Sequence, residues 1–273
     1  MTQDGSDVVN TPVSGLIIRL LKLDTRIGSR AKAQGSHAGL RCQNGQLRGG
    51  DHCAGTMSAM TSSETRKAYL LAVERAAQLL AEGGVALCWQ KESVLPGMSV
   101  GGLAGHLARS ILQVEWFLDG QVDGAEPVTP VHYYARLKGT STPDSELNVG
   151  VRARSEETAT AGPAVVAEQA RAAWQRLSER LTGEPADRRV AVLHRSGEEM
   201  LLDGYLQTRC VELAVHLEDL ALSVGARTPA PEAALGIAID VLVAAARERH
   251  GDQAVLHALA RRERDINHAL RVL

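Results

Sequence analysis

The sequence predicts a mainly α protein: a four-helix bundle with a small β-hairpin and a helical C-terminal tail. Three observations predict it. Ala, Leu, Val and Arg dominate a chain of 273 residues that is 44% hydrophobic, and that composition leans helical. Apolar residues recur at i, i+3, i+4 spacing through several long windows. Neither a regular β–α–β alternation nor a repeat of fixed period is present, which disfavours a parallel sheet and a solenoid.

The elements follow in order. Ser62 or Ser63 is placed to cap a first helix running to about residue 82, in which Tyr69, Leu70, Val73, Ala76, Ala77 and Leu80 share one face. Gly83-Gly84 ends or bends this helix, and Pro96-Gly97 marks a turn. Ser99 starts a second helix that ends near Gly120. Residues 121–150 are rich in Pro, Gly, Thr and Asp and read as a long connection with a short helix at YYARL. A third helix spans residues 152–181. RVAVLH and EMLL, separated by Arg195-Ser196-Gly197-Glu198, form a hairpin. Asp203 is placed to cap a fourth helix, GYLQTRCVELAVHLEDLALSVG, which Gly225 terminates. Two further helices, 231–249 and 252–264, make the tail.

The first 56 residues differ from the rest. They hold nine of the 26 glycines and carry seven basic residues against four acidic ones. Apart from LIIRLLKL at 16–23 they lack periodicity, so they read as a disordered extension. Met57 and Met60 directly precede the first helix, and the bundle domain is assigned to residues 57–273, including the helical tail at 229–264.

Composition excludes several classes. A net charge of −2 gives no reason to expect nucleic acid or an anionic membrane as partner. No run approaches the roughly 18 apolar residues of a membrane span. Four cysteines, at 42, 53, 88 and 210, have no short-range spacing, so a disulfide scaffold is not expected and a reducing cytoplasm is. Aromatics make up 3% of the chain with Phe117 the sole phenylalanine, which disfavours β-sandwiches and base-stacking modules. GxSxG, Walker A and GxGxxG segments are missing from any strand–turn–helix setting, which removes the simple hydrolase, NTPase and dinucleotide readings.

The fourth helix carries the chemistry. It is apolar on most sides and therefore expected to be buried, yet Arg209, Glu212, His216 and Asp219 form one polar stripe along it. Buried polar groups need partners, in the bundle interior or in a cavity. Glu212 and His216 are four apart, so their side chains reach the same point above the helix. The second helix repeats the pattern, with His106, Arg109, Gln113 and Trp116 as a seam among Leu103, Leu107, Ile111 and Val114. If the two helices face each other, His106, Glu212 and His216 supply three ligands for a divalent metal and leave one position open, the pattern of a catalytic zinc site. The same spacing also suits a solvated stripe with an i,i+4 Glu–His pair. His194, His250, His257 and His268 lie in Arg-rich surroundings and read as solvated. Cys42 with His52-Cys53 lacks the paired spacing of a zinc finger, and Cys210 reads as a small core residue.

Three ordered segments, LPGMSVGGLAGHLARSILQVEWFLD, HYYARL and LDGYLQTRCVELAVHLEDLALSVG, resemble the amino-terminal domain of mycothiol-dependent maleylpyruvate isomerases, a family of DinB-like metal-binding four-helix bundles. The tail VLVAAARERHGDQAVLHALARRER also resembles the end of many members, so the likeness covers about residues 60–265. In that family one histidine from the second helix joins a Glu-x-x-x-His pair from the fourth, which falls here on His106, Glu212 and His216. The resemblance implies a divalent metal, zinc by expectation, and mycothiol as thiol cosubstrate acting on a small electrophile by isomerisation or S-transfer. Arg209, pairing with a carboxylate or orienting Glu212, and Asp219, accepting a hydrogen bond behind the ligands, are the candidate catalytic residues. The isomerases carry an α/β sterol-carrier-like domain after the bundle, whereas residues 229–264 here read as helices. The alternative class is a non-catalytic metal-binding bundle with a regulatory or partner-binding role. A monomer or homodimer is expected, with neither nucleic acid nor membrane as partner.

Overall fold

The computed structural model describes residues 61–137, 144–192 and 197–261, with Leu270 and Val272. The first 60 residues, including Cys42, His52 and Cys53, lie outside the described residues, as do His194 and His268. All the elements named below belong to one compact unit, Met60–Ala191 with Gly197–Leu273.

Four long helices build the bundle: α1 (Ser62–Leu80), α3 (Val100–Leu118), α6 (Pro163–Gly183) and α7 (Leu202–Val224). The order around the bundle is α1, α6, α3, α7, each packing on the next and α7 closing on α1. Their shared interior is apolar and fully buried, with Tyr69, Leu79, Leu103, Leu107, Ile111, Leu177, Leu181, Leu213 and Leu217 at its centre. Each such leucine contributes roughly 1.5–3 kcal/mol by leaving water. Two helices flank the bundle. α5 (Glu146–Ala159) lies on α3, and α8 (Glu232–His250) lies on α7 and on the short α4 (Pro130–Ala135). α2 (Gly83–Cys88) and α9 (Asp252–Ala260) are short. No helix among the described residues is long and apolar enough to cross a membrane.

Several local expectations need correction. α1 is capped by Thr61, not by Ser62 or Ser63: its hydroxyl accepts from Glu64 N, and the Glu64 carboxylate accepts from Thr61 N at 2.8 Å. This reciprocal pair satisfies two orphan donors at once. Gly83-Gly84 does not simply end a helix but opens α2. The single helix expected over 152–181 is two, α5 and α6, and α5 starts inside the stretch read as a connection. The break falls where Gly162 takes φ 83° and Pro163 follows, because proline restrains the residue before it and has no N–H to continue a helix. Asp203 is not the cap of α7. Leu201 holds that position without a side-chain bond, and Asp203 instead pairs with Arg66 of α1 at 2.8 Å. Ser99 does cap α3, and Gly225 in the left-handed region does end α7.

The hairpin is shorter than expected. β1 (Arg189–Ala191) runs antiparallel to β2 (Glu199–Leu201), with Val190 opposite Met200. Its function in the fold is to hold the segment before α4. The buried Glu199 carboxylate accepts from the backbone N–H groups of Asp123, Gly124 and Ala125, and Glu199 O accepts from Val128 N at 2.8 Å. α4 then starts with Thr129 as its cap and Pro130 in the first turn.

Candidate metal centre

The apolar faces of α3 and α7 turn their polar seams toward one another. His106 Nε2 lies 3.2 Å from Glu212 Oε2, and His216 Nε2 lies 3.6 Å from the same oxygen. The two imidazoles meet edge to face, with centroids 4.5 Å apart. One donor atom from each of the three residues lies within 4.8 Å of the other two, a grouping that could hold a metal ion. Their side chains are 18–19% exposed, so the group sits at the edge of the bundle with one side reachable from solvent. A fourth His, Cys, Asp or Glu does not join it among the described residues.

Hydrogen bonds behind the three residues decide which atoms they present. Ser155 of α5 donates its hydroxyl to Val151 O at 2.8 Å, and its oxygen lies 3.4 Å from His106 Nδ1. Asp219 Oδ2 accepts from His216 Nδ1 at 2.9 Å. Both rings therefore direct Nε2 at Glu212. The Tyr134 hydroxyl lies 3.1 Å from Glu212 Oε1 and 3.1 Å from Thr208 O, which holds one carboxylate oxygen away from the imidazoles and leaves Oε2 between them.

The electrostatics of the group follow from burial and from its mutual contacts. Burial alone would raise Glu212, but its bonds to His106 and His216 and the nearby Arg209 charge outweigh it and hold the carboxyl well below the usual range. Burial and the neighbouring His216 lower His106. Burial opposes charge on His216 too, but Asp219 and Glu212 overcome it and push that ring up to about 9. Two nitrogens and one carboxylate oxygen thus converge on one place, and their surroundings favour a proton on His216.

Of the two roles expected of Arg209, pairing with a carboxylate is not the one its contacts make. It is buried and makes no ion pair with Glu212: Nε donates to Thr208 Oγ1 at 3.2 Å, Nη1 donates to Gln113 Oε1 at 3.3 Å, and the guanidinium lies 5.0 Å above the Tyr205 ring. It acts on Glu212 as a fixed positive charge. Asp219 stands behind His216 as described. Cys210 is fully buried, and burial pushes its thiol up to about 12. His257 pairs with the Gln253 side chain, apart from this group. Sequence reasoning missed Tyr134 and Ser155. The signal for Tyr134 was its place in HYYARL, one of the three segments of the family resemblance, and Ser155 was one of several polar residues in a helix to which no site residue was assigned.

The family described as mycothiol maleylpyruvate isomerase N-terminal domain matches residues 69–221, a span that runs from α1 into α7 and contains His106, Tyr134, Ser155, Glu212 and His216. No curated protein and no solved structure matches the chain. With more than half of its length matched by that family's model, the chain belongs to the mycothiol maleylpyruvate isomerase N-terminal domain family.

Proposed function

We propose that this protein is a metal-dependent thiol enzyme in which His106, Glu212 and His216 hold a divalent ion, zinc, and a low-molecular-weight thiol, mycothiol, is the cosubstrate. The observation that carries this reading is the convergence of two imidazole Nε2 atoms on one oxygen of a charged carboxylate, each ring fixed from behind by its Nδ1. Held by these three residues, a divalent ion would supply Lewis acidity that favours the thiolate form of a small thiol near neutral pH. The chain itself does the rest. Asp219 and Ser155 orient the imidazoles, Tyr134 restricts Glu212 to one oxygen, and the Arg209 charge adds to the two histidine contacts that keep that carboxylate ionised inside the bundle. Three protein ligands with one reachable side leave room for a small molecule, whereas a structural zinc site is closed by four.

The thiol comes from outside the chain in this reading, and Cys210, two positions before Glu212, is buried and held protonated. An activated external thiol suits two reactions: reversible addition to an electrophilic double bond, which isomerises it, or displacement of a leaving group, which is S-transfer. The test is metal analysis of the purified protein followed by calorimetric titration with mycothiol, with and without zinc. One ion per chain and thiol binding that requires the ion are the expected results. A folded protein that binds zinc but no low-molecular-weight thiol overturns the proposal.

A further inference from the structure

Tyr134 is held at both of its ends. Its phenol lies on Glu212, and its main-chain carbonyl accepts from Arg249 Nη2 at 2.5 Å. The same guanidinium donates to Ala135 O at 3.0 Å, Leu137 O at 2.7 Å and Val272 O at 3.0 Å. Three of these four carbonyls belong to the end of α4 and the turn behind it, where a helix leaves its carbonyls without intrahelical partners. α4 has six residues, far below the length at which a helix stands by itself in water. Its start is fixed by Thr129 and by the Glu199 loop. Its end is fixed by an arginine of α8 that lies beyond the matched family span of residues 69–221. A second tie, His132 Nδ1 to Glu248 Oε1 at 2.6 Å, is exposed.

We propose that Arg249 is a positioning residue for the candidate metal centre: by clamping the end of α4 it keeps Tyr134 on Glu212 Oε1, so that Oε2 alone faces the imidazoles. The proposal rests on the metal reading given above. The C-terminal helix is thereby part of the site although it supplies no ligand. An arginine is suited to the task because its fork of donors addresses several carbonyls at once, which a lysine ammonium does not reproduce.

The test measures Zn²⁺ affinity of the full chain by chelator competition for Arg249→Ala, Arg249→Lys, Tyr134→Phe and the double variant Arg249→Ala/Tyr134→Phe. Amide hydrogen exchange of Arg136 and Leu137 is followed in the metal-free proteins. Arg249→Ala and Tyr134→Phe are each expected to weaken Zn²⁺ by about tenfold, the lower end of the range for groups that orient ligands. The double variant is expected to be no weaker than either single one, because both changes break one chain of contacts. Arg249→Lys falls between wild type and Arg249→Ala, and it carries the test if the alanine variant does not fold. Exchange at Arg136 and Leu137 should accelerate while the amides of α1 and α6 stay protected. Unchanged Zn²⁺ affinity in Arg249→Ala, or losses that multiply in the double variant, overturns the proposal alone. Wild-type protein that takes up no Zn²⁺ overturns it together with the metal reading.

Discussion

A Cβ on Gly105 would collide with the main-chain carbonyl of Ser155. The absence of that one carbon lets α5 lie directly on α3, and the close approach is what puts Ser155 Oγ behind His106, the next residue along. One turn earlier Gly102 makes the same kind of room, for the Glu156 carboxylate, which accepts from the Ser99 hydroxyl at 2.9 Å. The glycines of α3 are thus a contact surface that positions a candidate ligand.

Gly105→Ala is therefore expected to push α5 away from α3. Overpacking of this kind costs about 1–3 kcal/mol, visible as a lowered urea midpoint. Zn²⁺ affinity should fall as well, since His106 loses the oxygen that holds its Nδ1. A control at Gly183, whose Cβ position is open, should leave the metal affinity unchanged. Equal effects at both positions would mean that the helix approach has no bearing on the site.

How much of this was legible in the sequence depended on the range of the interaction. Ser99 and Gly225 end their helices through contacts within a few residues, and both were read correctly from local pattern. The seams on α3 and α7 were also legible, because a polar stripe in an apolar helix is a local anomaly. Asp203 was misread since its partner, Arg66, lies 137 positions away, and a long-range ion pair competed with the local cap. Separation along the chain also hid Tyr134 and Ser155, whose partners lie 78 and 49 positions away. Each is an ordinary residue for its own helix and gains meaning only where it meets Glu212 or His106. The break at Gly162-Pro163 stands in the sequence as a dipeptide that ends helices, yet the stretch over 152–181 was read as one helix.

The roles of Asp219 and His216 separate in a pair of substitutions. His216→Ala removes a nitrogen of the candidate ligand set and should abolish Zn²⁺ uptake together with any thiol-dependent activity. Asp219→Asn leaves the ring in place but weakens the acceptor at Nδ1, so metal affinity should drop roughly 10–100-fold. Both variants should keep their helical circular dichroism, since the bundle core is apolar and independent of these groups. An unfolded His216→Ala protein would assign the site a structural role instead.

The pH dependence follows from the raised His216. Its ring is pushed from 6.5 to about 9 in the metal-free fold. The stability it contributes is fully present below pH 6.5 and is lost as the pH rises through about 9. Metal has the opposite preference, because it takes the ring neutral. Zn²⁺ binding at pH 7 should thus release about one proton from this group, readable by calorimetry in buffers of different ionisation enthalpy. His106, with its pKa lowered, is already neutral there and adds none. The rise in melting temperature produced by Zn²⁺ should grow between pH 6.5 and 9. A flat profile over that range would contradict the assignment of a shared proton to this site.

The source of the sulfur is the last point that a substitution decides. Cys210 lies in α7 next to Arg209 and two positions before Glu212, which makes it the protein thiol nearest the ligands in sequence. Its environment argues against reactivity: burial raises the thiol to about 12, and the nearby Arg209 charge does not compensate. At neutral pH almost none of it is thiolate, and thiolate is the nucleophilic form. Cys210→Ala should therefore retain thiol-dependent activity within about twofold, while losing about 1 kcal/mol or more of stability from the small cavity left in a full core. Alkylation should leave this residue untouched in the folded protein and label it after denaturation, as followed by peptide mass. Activity that disappears in Cys210→Ala with zinc still bound would move the nucleophile from an external thiol to the chain itself.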